Sequence, residues 1–266
     1  MAVRRRFLAL AVFLALPAAY ASDARLDNIE AIDVTKEFLQ HYQGWLDFQE
    51  GLVRLDNPDT FRSDRVVSVF FKNEHYHNLV MMGPRAVPLL MAWYVEDVWL
   101  GDIVVEMCGL KFRGVYLESS FDGRKLHYLE EFPDTLHFGT PIQGVPLLRW
   151  WRGHKTLAGR WFRERWNQYV TYKQQGEEDL AAERLERIGE IGIDVLPLLI
   201  RMISEGHEEL IPIASNVSKR PWASEKITLS EDSTREQCEA WWNRHQADYT
   251  IPDYNPLDLL RECVKE

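Results

Sequence analysis

Apolar residues recur early in the chain at the spacing of one helical face. Val34, Phe38, Tyr42, Trp45 and Leu46 fall at i, i+4, i+8, i+11 and i+12. This predicts a helix over Asp33 to Leu55 that buries the stripe. Asp33 or Thr35 can cap its start, and Asn57-Pro58 ends it. Two later strings then share one pattern. Met81-Met82-Gly83-Pro84-Arg85-Ala86-Val87-Pro88-Leu89-Leu90 aligns without gaps with Glu190-Ile191-Gly192-Ile193-Asp194-Val195-Leu196-Pro197-Leu198-Leu199. Gly83 matches Gly192, Pro88 matches Pro197, and both strings end Leu-Leu. Upstream, Leu79 matches Ile188 in the same register.

The shared pattern has a physical reading. A helix ends at the glycine, which takes the left-handed conformation common just past a helix end. A short turn follows. A second helix then begins with Pro88 or Pro197 in its first turn, where the missing N–H costs nothing. The two leucines open its buried face. The chain therefore predicts a helical hairpin that occurs twice.

The likeness extends downstream. Ile103 to Leu110 and Leu210 to Val217 are apolar runs ending in turn formers. Trp161-Phe162 with Tyr169 matches Trp241-Trp242 with Tyr249. The stretch from glycine to aromatic pair is longer in the first unit, Gly83 to Trp161, than in the second, Gly192 to Trp241. The excess falls between Leu110 and Thr156, where the period changes to two. Val115, Leu117, Ser119 and Phe121 alternate with Tyr116, Glu118 and Ser120, Asp122-Gly123 follows, and Leu126 and Tyr128 resume. This predicts a β-hairpin over Arg113 to Glu130. Phe132 to Gly153, rich in Pro and Gly, reads as ordered loop.

The expected fold class is all-α: a right-handed α-α stack of two duplicated units, with a small β-hairpin inserted in the first. The expected divisions are a leader over 1–21, an N-terminal segment and helix over 22–60, a first unit over 61–170 with its insertion at 110–156, and a second unit with the C-terminal tail over 171–266.

The leader changes the reading of the composition. Arg4, Arg5 and Arg6 precede an unbroken apolar run from Phe7 to Leu16, then Pro17 and the small-residue site Ala19-Tyr20-Ala21. This is the three-part pattern of a cleavable export signal, with cleavage after Ala21. The run is shorter than the ~20 residues that span a bilayer. The arginines also resemble a twin-arginine export motif, but the apolar run suits the general secretory route better. Removing the leader removes three arginines and no acid, so the formal charge moves from −10 to −13. Such a chain will not bind nucleic acid or anionic lipid non-specifically. No later run is long enough to cross a membrane, so a soluble periplasmic or secreted protein is expected. With 46% hydrophobic residues it can build a real core. In an oxidising compartment Cys238 and Cys263 could pair, while Cys108 sits in an apolar run and reads as a buried thiol.

Candidate chemistry is sparse. No common catalytic, phosphate-binding or dinucleotide motif occurs, so no catalytic residue, metal ligand or cofactor is assigned. His75-Tyr76-His77 reads as a pair of helix-end histidines, which do not face each other. Glu205-Gly206-His207-Glu208-Glu209 reads as a helix stop, followed by acids that suit the next helix dipole. Trp150-Trp151-Arg152, placed in the loop-rich insertion, is the candidate surface for a partner, since Trp beside Arg suits a glycan or a protein hot spot, although the preferred reading of these Trp is as cover for the core beneath the insertion. Trp161, Trp166, Trp241 and Trp242 lie on helical patterns and read as core. His127, Glu130, Glu131 and His137 are the carboxylates and histidines that could converge in a hydrolase site within the insertion.

The string Gly-x-x-(Ala/Val)-(Val/Leu)-Pro-x-Leu, met at Gly83 to Leu90 and Gly192 to Leu199, resembles the start of the second helix of HEAT repeats. The stretch near Trp241 and Trp242, after the polar run Ser230 to Arg235, is similar to segments of exported bacterial proteins with HEAT-like repeats. The resemblance covers roughly Arg62 to Pro252, and Gly83, Pro88, Gly192, Pro197, Trp161, Trp241 and Trp242 define it. It implies an α-helical stack that scaffolds or binds an unidentified protein, and it supplies no catalytic residue. A glycan is the second expected partner class.

Overall fold

A computed structural model describes residues 28–55, 73–94, 97, 100–111 and 144–256, with side chains of the first helix described over 32–48. Every regular element among them is helical. The helices are α1 (Asn28–Leu55), α2 (Glu74–Met81), α3 (Val87–Trp93), α4 (Leu100–Cys108), α5 (Gly144–Gln175), α6 (Glu178–Gly189), α7 (Leu196–Ser204), α8 (Ile211–Ser218) and α9 (Arg235–His245). Single 3₁₀ turns at Pro84–Ala86, Ile193–Val195 and Glu208–Leu210 lead into α3, α7 and α8. The β-hairpin expected over 113–130 lies outside the described residues.

Helix α1 buries the expected stripe: Val34, Phe38, Tyr42 and Trp45 are all interior. It begins at Asn28, upstream of the expected start, so neither Asp33 nor Thr35 caps it. Thr35 is instead buried within the helix.

The two matched strings take one backbone. Gly83 has φ 69 and ψ −167; Gly192 has φ 82 and ψ −162. Ala86 and Val195, which precede the second helix of each hairpin, sit at φ −90, ψ −12 and φ −85, ψ −17. Pro88 and Pro197 both lie in the first turn, where a helix has N–H groups without partners. One expectation needs correcting. The glycines have positive φ but are not left-handed helical: with an extended ψ they occupy a region essentially closed to any residue with a Cβ.

That conformation serves close approach. A Cβ on Gly192 would lie 2.5 Å from the carbonyl oxygen of Cys108 and 2.8 Å from Leu110 Cδ2. One on Gly83 would lie 3.2 Å from the Trp222 ring. Each glycine is thus a seat for another part of the fold. The end of α4 docks on the second hairpin, where the Lys111 N–H also donates to the Glu190 carbonyl at 2.9 Å. Trp222 returns from the far end of the chain to the first hairpin, and its indole N–H donates to the Met107 carbonyl at 2.9 Å. A single continuous core results, from Phe38 and Trp45 to Tyr249 and Ile251.

Each hairpin is also held by a long helix before it. Helix α1 packs on α2 and on the first 3₁₀ turn; α5 packs on α6 and on the second. The residue clasped is at the same aligned position in both. Arg85 reaches Glu37 of α1 at 2.8 Å, and Asp194 reaches His154 of α5 at 3.1 Å.

Helix α5 corrects the expectation of loop up to Gly153. Pro146 sits in the first turn, which tolerates it, and Leu147, Trp150, His154 and Ala158 follow at helical spacing with buried side chains. Gly153 marks a kink, with φ −148 and ψ 20. Gly159 lies further along α5, with nothing within 4 Å of where a Cβ would project. A glycine there forgoes helix propensity and gains no packing. Gly159→Ala is expected to stabilise the protein by about 0.5–1 kcal/mol in urea unfolding. A loss of stability would show that α5 does not run unbroken through this point.

Candidate functional site

The residues singled out in the sequence separate in space. Trp150 is 1% exposed and turned into the core. Its indole offers no face to a ligand, and its N–H has no partner among the described residues. Trp151 is half-buried and Arg152 exposed. Placing these residues in a loop missed their division between two faces of α5. The insertion carboxylates and histidines, His127, Glu130, Glu131 and His137, lie outside the described residues.

Around Trp150 and Trp151 the structure brings in two groups that had no role in the sequence reading. His154 lies one helical turn on. Its ring is parallel to that of Trp151 within 2°, with centroids 5.5 Å apart, and is 5.3 Å from that of Trp150. Its Nδ1 lies 3.1 Å from Oδ2 and 3.2 Å from Oδ1 of Asp194, on the 3₁₀ turn of the second hairpin. The kink at Gly153 precedes His154 directly. A carboxylate at Nδ1 fixes the ring's orientation and tautomer, as in a catalytic dyad. A nucleophile is what such a dyad would need. Cys108 is nearby, but burial first and the Asp194 charge second push its thiol well up, against a smaller downward pull from Arg220. It stays protonated and inert. The pair therefore joins α5 to the second hairpin at the seat of Gly192. The signal in sequence was faint: an acid aligned with Arg85, and one His among many.

A second cluster lies on α4. Asp102 is 3% exposed, and its Oδ2 makes no hydrogen bond among the described residues. Burial, and then the charge of Glu106 one turn on, push its carboxyl up to about 7. Glu106 accepts a hydrogen bond from the Tyr76 hydroxyl at 2.6 Å. Burial and then that contact hold the Tyr76 phenol protonated. Tyr94 is pushed up to about 12 by burial and by Asp102. The cluster can hold a proton near neutral pH. No group of three or more metal-ligating side chains occurs among the described residues.

The histidines can also be placed. His75 and His77 lie in the first turn of α2, whose Asn73 cap accepts from the Tyr76 N–H at 2.8 Å, so they stand at the start of a helix rather than its end. His75 fills a notch on α1, where a Cβ on Gly44 would lie 2.4 Å from its ring. His77 is exposed. Gly206 has φ 106 and stops α7 as expected, and His207 meets Trp166 edge-on at 4.9 Å. Cys238 is a buried free thiol, and Cys263 lies outside the described residues.

A groove opens between α7 and α9, with a volume of about 430 Å³. Helix α7 lines it with Pro197, Ile200, Arg201 and Ser204; α9 contributes Glu239, Trp242 and Asn243. The tryptophan pair divides here. Trp241 is 5% exposed, and its N–H donates to the Ile227 carbonyl at 3.0 Å. Trp242 is half-buried and faces the groove. In the pair on α5, Phe162 is the buried member and Trp161 packs at the margin. Helix α9 is set by a capping box in which Thr234 accepts from the Gln237 N–H and Gln237 accepts from the Thr234 N–H.

No protein family, no curated protein and no solved structure matches this chain.

Proposed function

We propose that this chain is an exported helical-repeat protein that works by holding another protein, without chemistry of its own, in the periplasm or outside the cell. One observation carries the reading. Two strings far apart in the chain share not only their sequence pattern but their glycine conformation, 3₁₀ turn and proline position, and each is clasped by a long preceding helix. That is what two units of one helical-repeat type require, and repeat stacks of this kind present surfaces for partners. The leader supplies the location, and the acidic balance disfavours nucleic acid. No described helix is long and apolar enough to cross a membrane.

Two measurements test the proposal. N-terminal sequencing of the chain from fractionated cells should find Ser22 first; an intact Met1 in the cytosol refutes export. For the partner, a photo-crosslinking residue can replace the exposed Met81 or Leu180. A discrete adduct with one protein in the exported fraction is expected. Monomer alone at both positions, in cells where the chain is exported, defeats the scaffold reading.

A further inference from the structure

Several polar groups that line the groove between α7 and α9 are uncommitted, although Ser204 donates to the Ile200 carbonyl at 2.9 Å. Glu239 and Asn243 make no hydrogen bond or ion pair among the described residues, and neither does the indole N–H of Trp242. Arg201 has only a loose pairing with Glu205 at 3.9 Å, and its side chain is 64% exposed. Trp241, Trp222 and Trp45 donate to Ile227, Met107 and Asp97, and the unpaired indole N–H groups of Trp93 and Trp150 are buried, whereas Trp242 faces a groove. At Trp242 the fold places a large aromatic ring beside a carboxylate, an amide and a guanidinium and uses little of their hydrogen-bonding capacity.

The chemistry narrows the occupant. An amphipathic helix needs a continuous apolar trough, and this lining is mostly polar. A peptide strand needs a sheet edge, and both walls here are helices, whose interior backbone groups are already bonded. Nucleic acid needs a basic surface, and this chain is acidic. A sugar ring matches each feature. Its C–H face lies on an indole. Its adjacent hydroxyls both donate and accept, which suits the planar forks of a carboxylate, an amide and a guanidinium. The volume also falls within the roughly 300–1,000 Å³ of small-ligand sites.

We infer that the α7–α9 groove is a saccharide-binding site, with Trp242 as the stacking platform and Glu239, Asn243 and Arg201 as the hydroxyl-reading groups. The inference stands apart from the scaffold reading. It also moves glycan recognition away from Trp150, whose ring is interior, to the indole that α9 leaves facing a groove.

The test uses the mature chain and three probes: oligomers of N-acetylglucosamine, of β-1,4-glucose and of α-1,4-glucose. Ligand-observed saturation-transfer NMR reads binding, and calorimetry gives affinity. Saturable binding of at least one probe is expected. Trp242→Ala should weaken it by about tenfold or more, an amount equal to one modest stacking contact. Glu239→Gln and Asn243→Ala should each weaken it by about three- to tenfold, the worth of a hydrogen bond. Neither of those side chains is committed internally, so unfolding temperature should hold and separate lost binding from lost fold. Trp242→Phe, which keeps a stacking ring, should retain most of the affinity. Trp151→Ala should leave it unchanged. Failure of the wild-type chain to bind any probe at ~10 mM, beyond even weak millimolar affinity, overturns the inference. So does binding that survives Trp242→Ala, or capture of an unstructured peptide in the groove when no sugar binds.

Discussion

Gly192→Ala is expected to cost about 4 kcal/mol of folding stability. Two penalties combine. The backbone there, at φ 82 and ψ −162, is closed to residues with a Cβ, worth about 1–3 kcal/mol. The added carbon would also stand 2.5 Å from a backbone oxygen, that of Cys108, which cannot rotate away as a side chain could. Forcing atoms into a packed site costs about 1–3 kcal/mol more. Gly83→Ala shares the first penalty but meets the edge of the Trp222 ring at 3.2 Å, which can shift. It should cost about half as much. Urea unfolding of the two variants side by side checks this. A loss for Gly192→Ala no greater than for Gly83→Ala would mean that the end of α4 does not rest on the second hairpin. A loss of this size would consume a large share of the roughly 5–15 kcal/mol that holds a typical domain folded.

Asp102→Asn is expected to stabilise the protein at pH 8 by about 3–4 kcal/mol and to do almost nothing at pH 4. The sign follows from proton binding. In the unfolded chain Asp102 ionises near its usual 3.8; in the folded chain it keeps its proton up to about 7. Between those values the folded state binds more protons, so stability falls as pH rises. Above 7 both forms are ionised, and the cost of holding a buried carboxylate beside Glu106 is fully present. Roughly three pH units, at about 1.4 kcal/mol each, set the scale. The amide is nearly the same size and carries no charge, so the substitution removes the penalty and flattens the pH profile over that window. Chemical unfolding of both chains at pH 4, 6 and 8 reads it directly. An unchanged difference between the two chains across these pH values would show that Asp102 is not the group that titrates.

That predicted gain also says something about Asp102. A buried oxygen without a partner is uncommon in a folded protein. Here it lies on the same helix that docks, through Cys108 and Leu110, against Gly192. The joint between the two hairpins therefore carries both the close backbone approach at Gly192 and, one to two turns away, a buried carboxyl pushed up to about 7. Lowering the pH is therefore expected to favour the folded state around this helix, and raising it to disfavour it.

Much of the fold was legible along the chain, for reasons that particular residues make plain. Phe38, Tyr42 and Trp45 revealed α1 because burial of one helical face imposes the helical period. The two hairpins were visible because a glycine before a turn and a proline in a first turn are each demanded by local backbone geometry. Where local signals conflicted, the reading failed. Pro146 and Gly144 looked like loop, although the first turn of α5 accommodates both. Trp150, named within a candidate partner surface, read more readily as cover for the core, and the core is where it lies. The candidate site was hardly legible at all: Glu239, Trp242 and Asn243 lie close together on an ordinary polar helix, and nothing in their spacing announces Arg201 across the groove.

The helical class, the duplicated turn, the three-part pattern of the first residues and the acidic balance can all be read from the chain alone, because each is a property of neighbouring residues or of their sum. What those turns are for could not be read there. Gly83 and Gly192 were recognisable as places where a helix ends, a matter of a few torsion angles. That Trp222 and the end of α4 come to rest on them depends on contacts between segments remote in sequence. The same holds for His154 against Asp194, and for the groove that pairs α7 with α9. Such meetings are set by how whole helices pack, and packing depends on every surface at once rather than on any one stretch of chain.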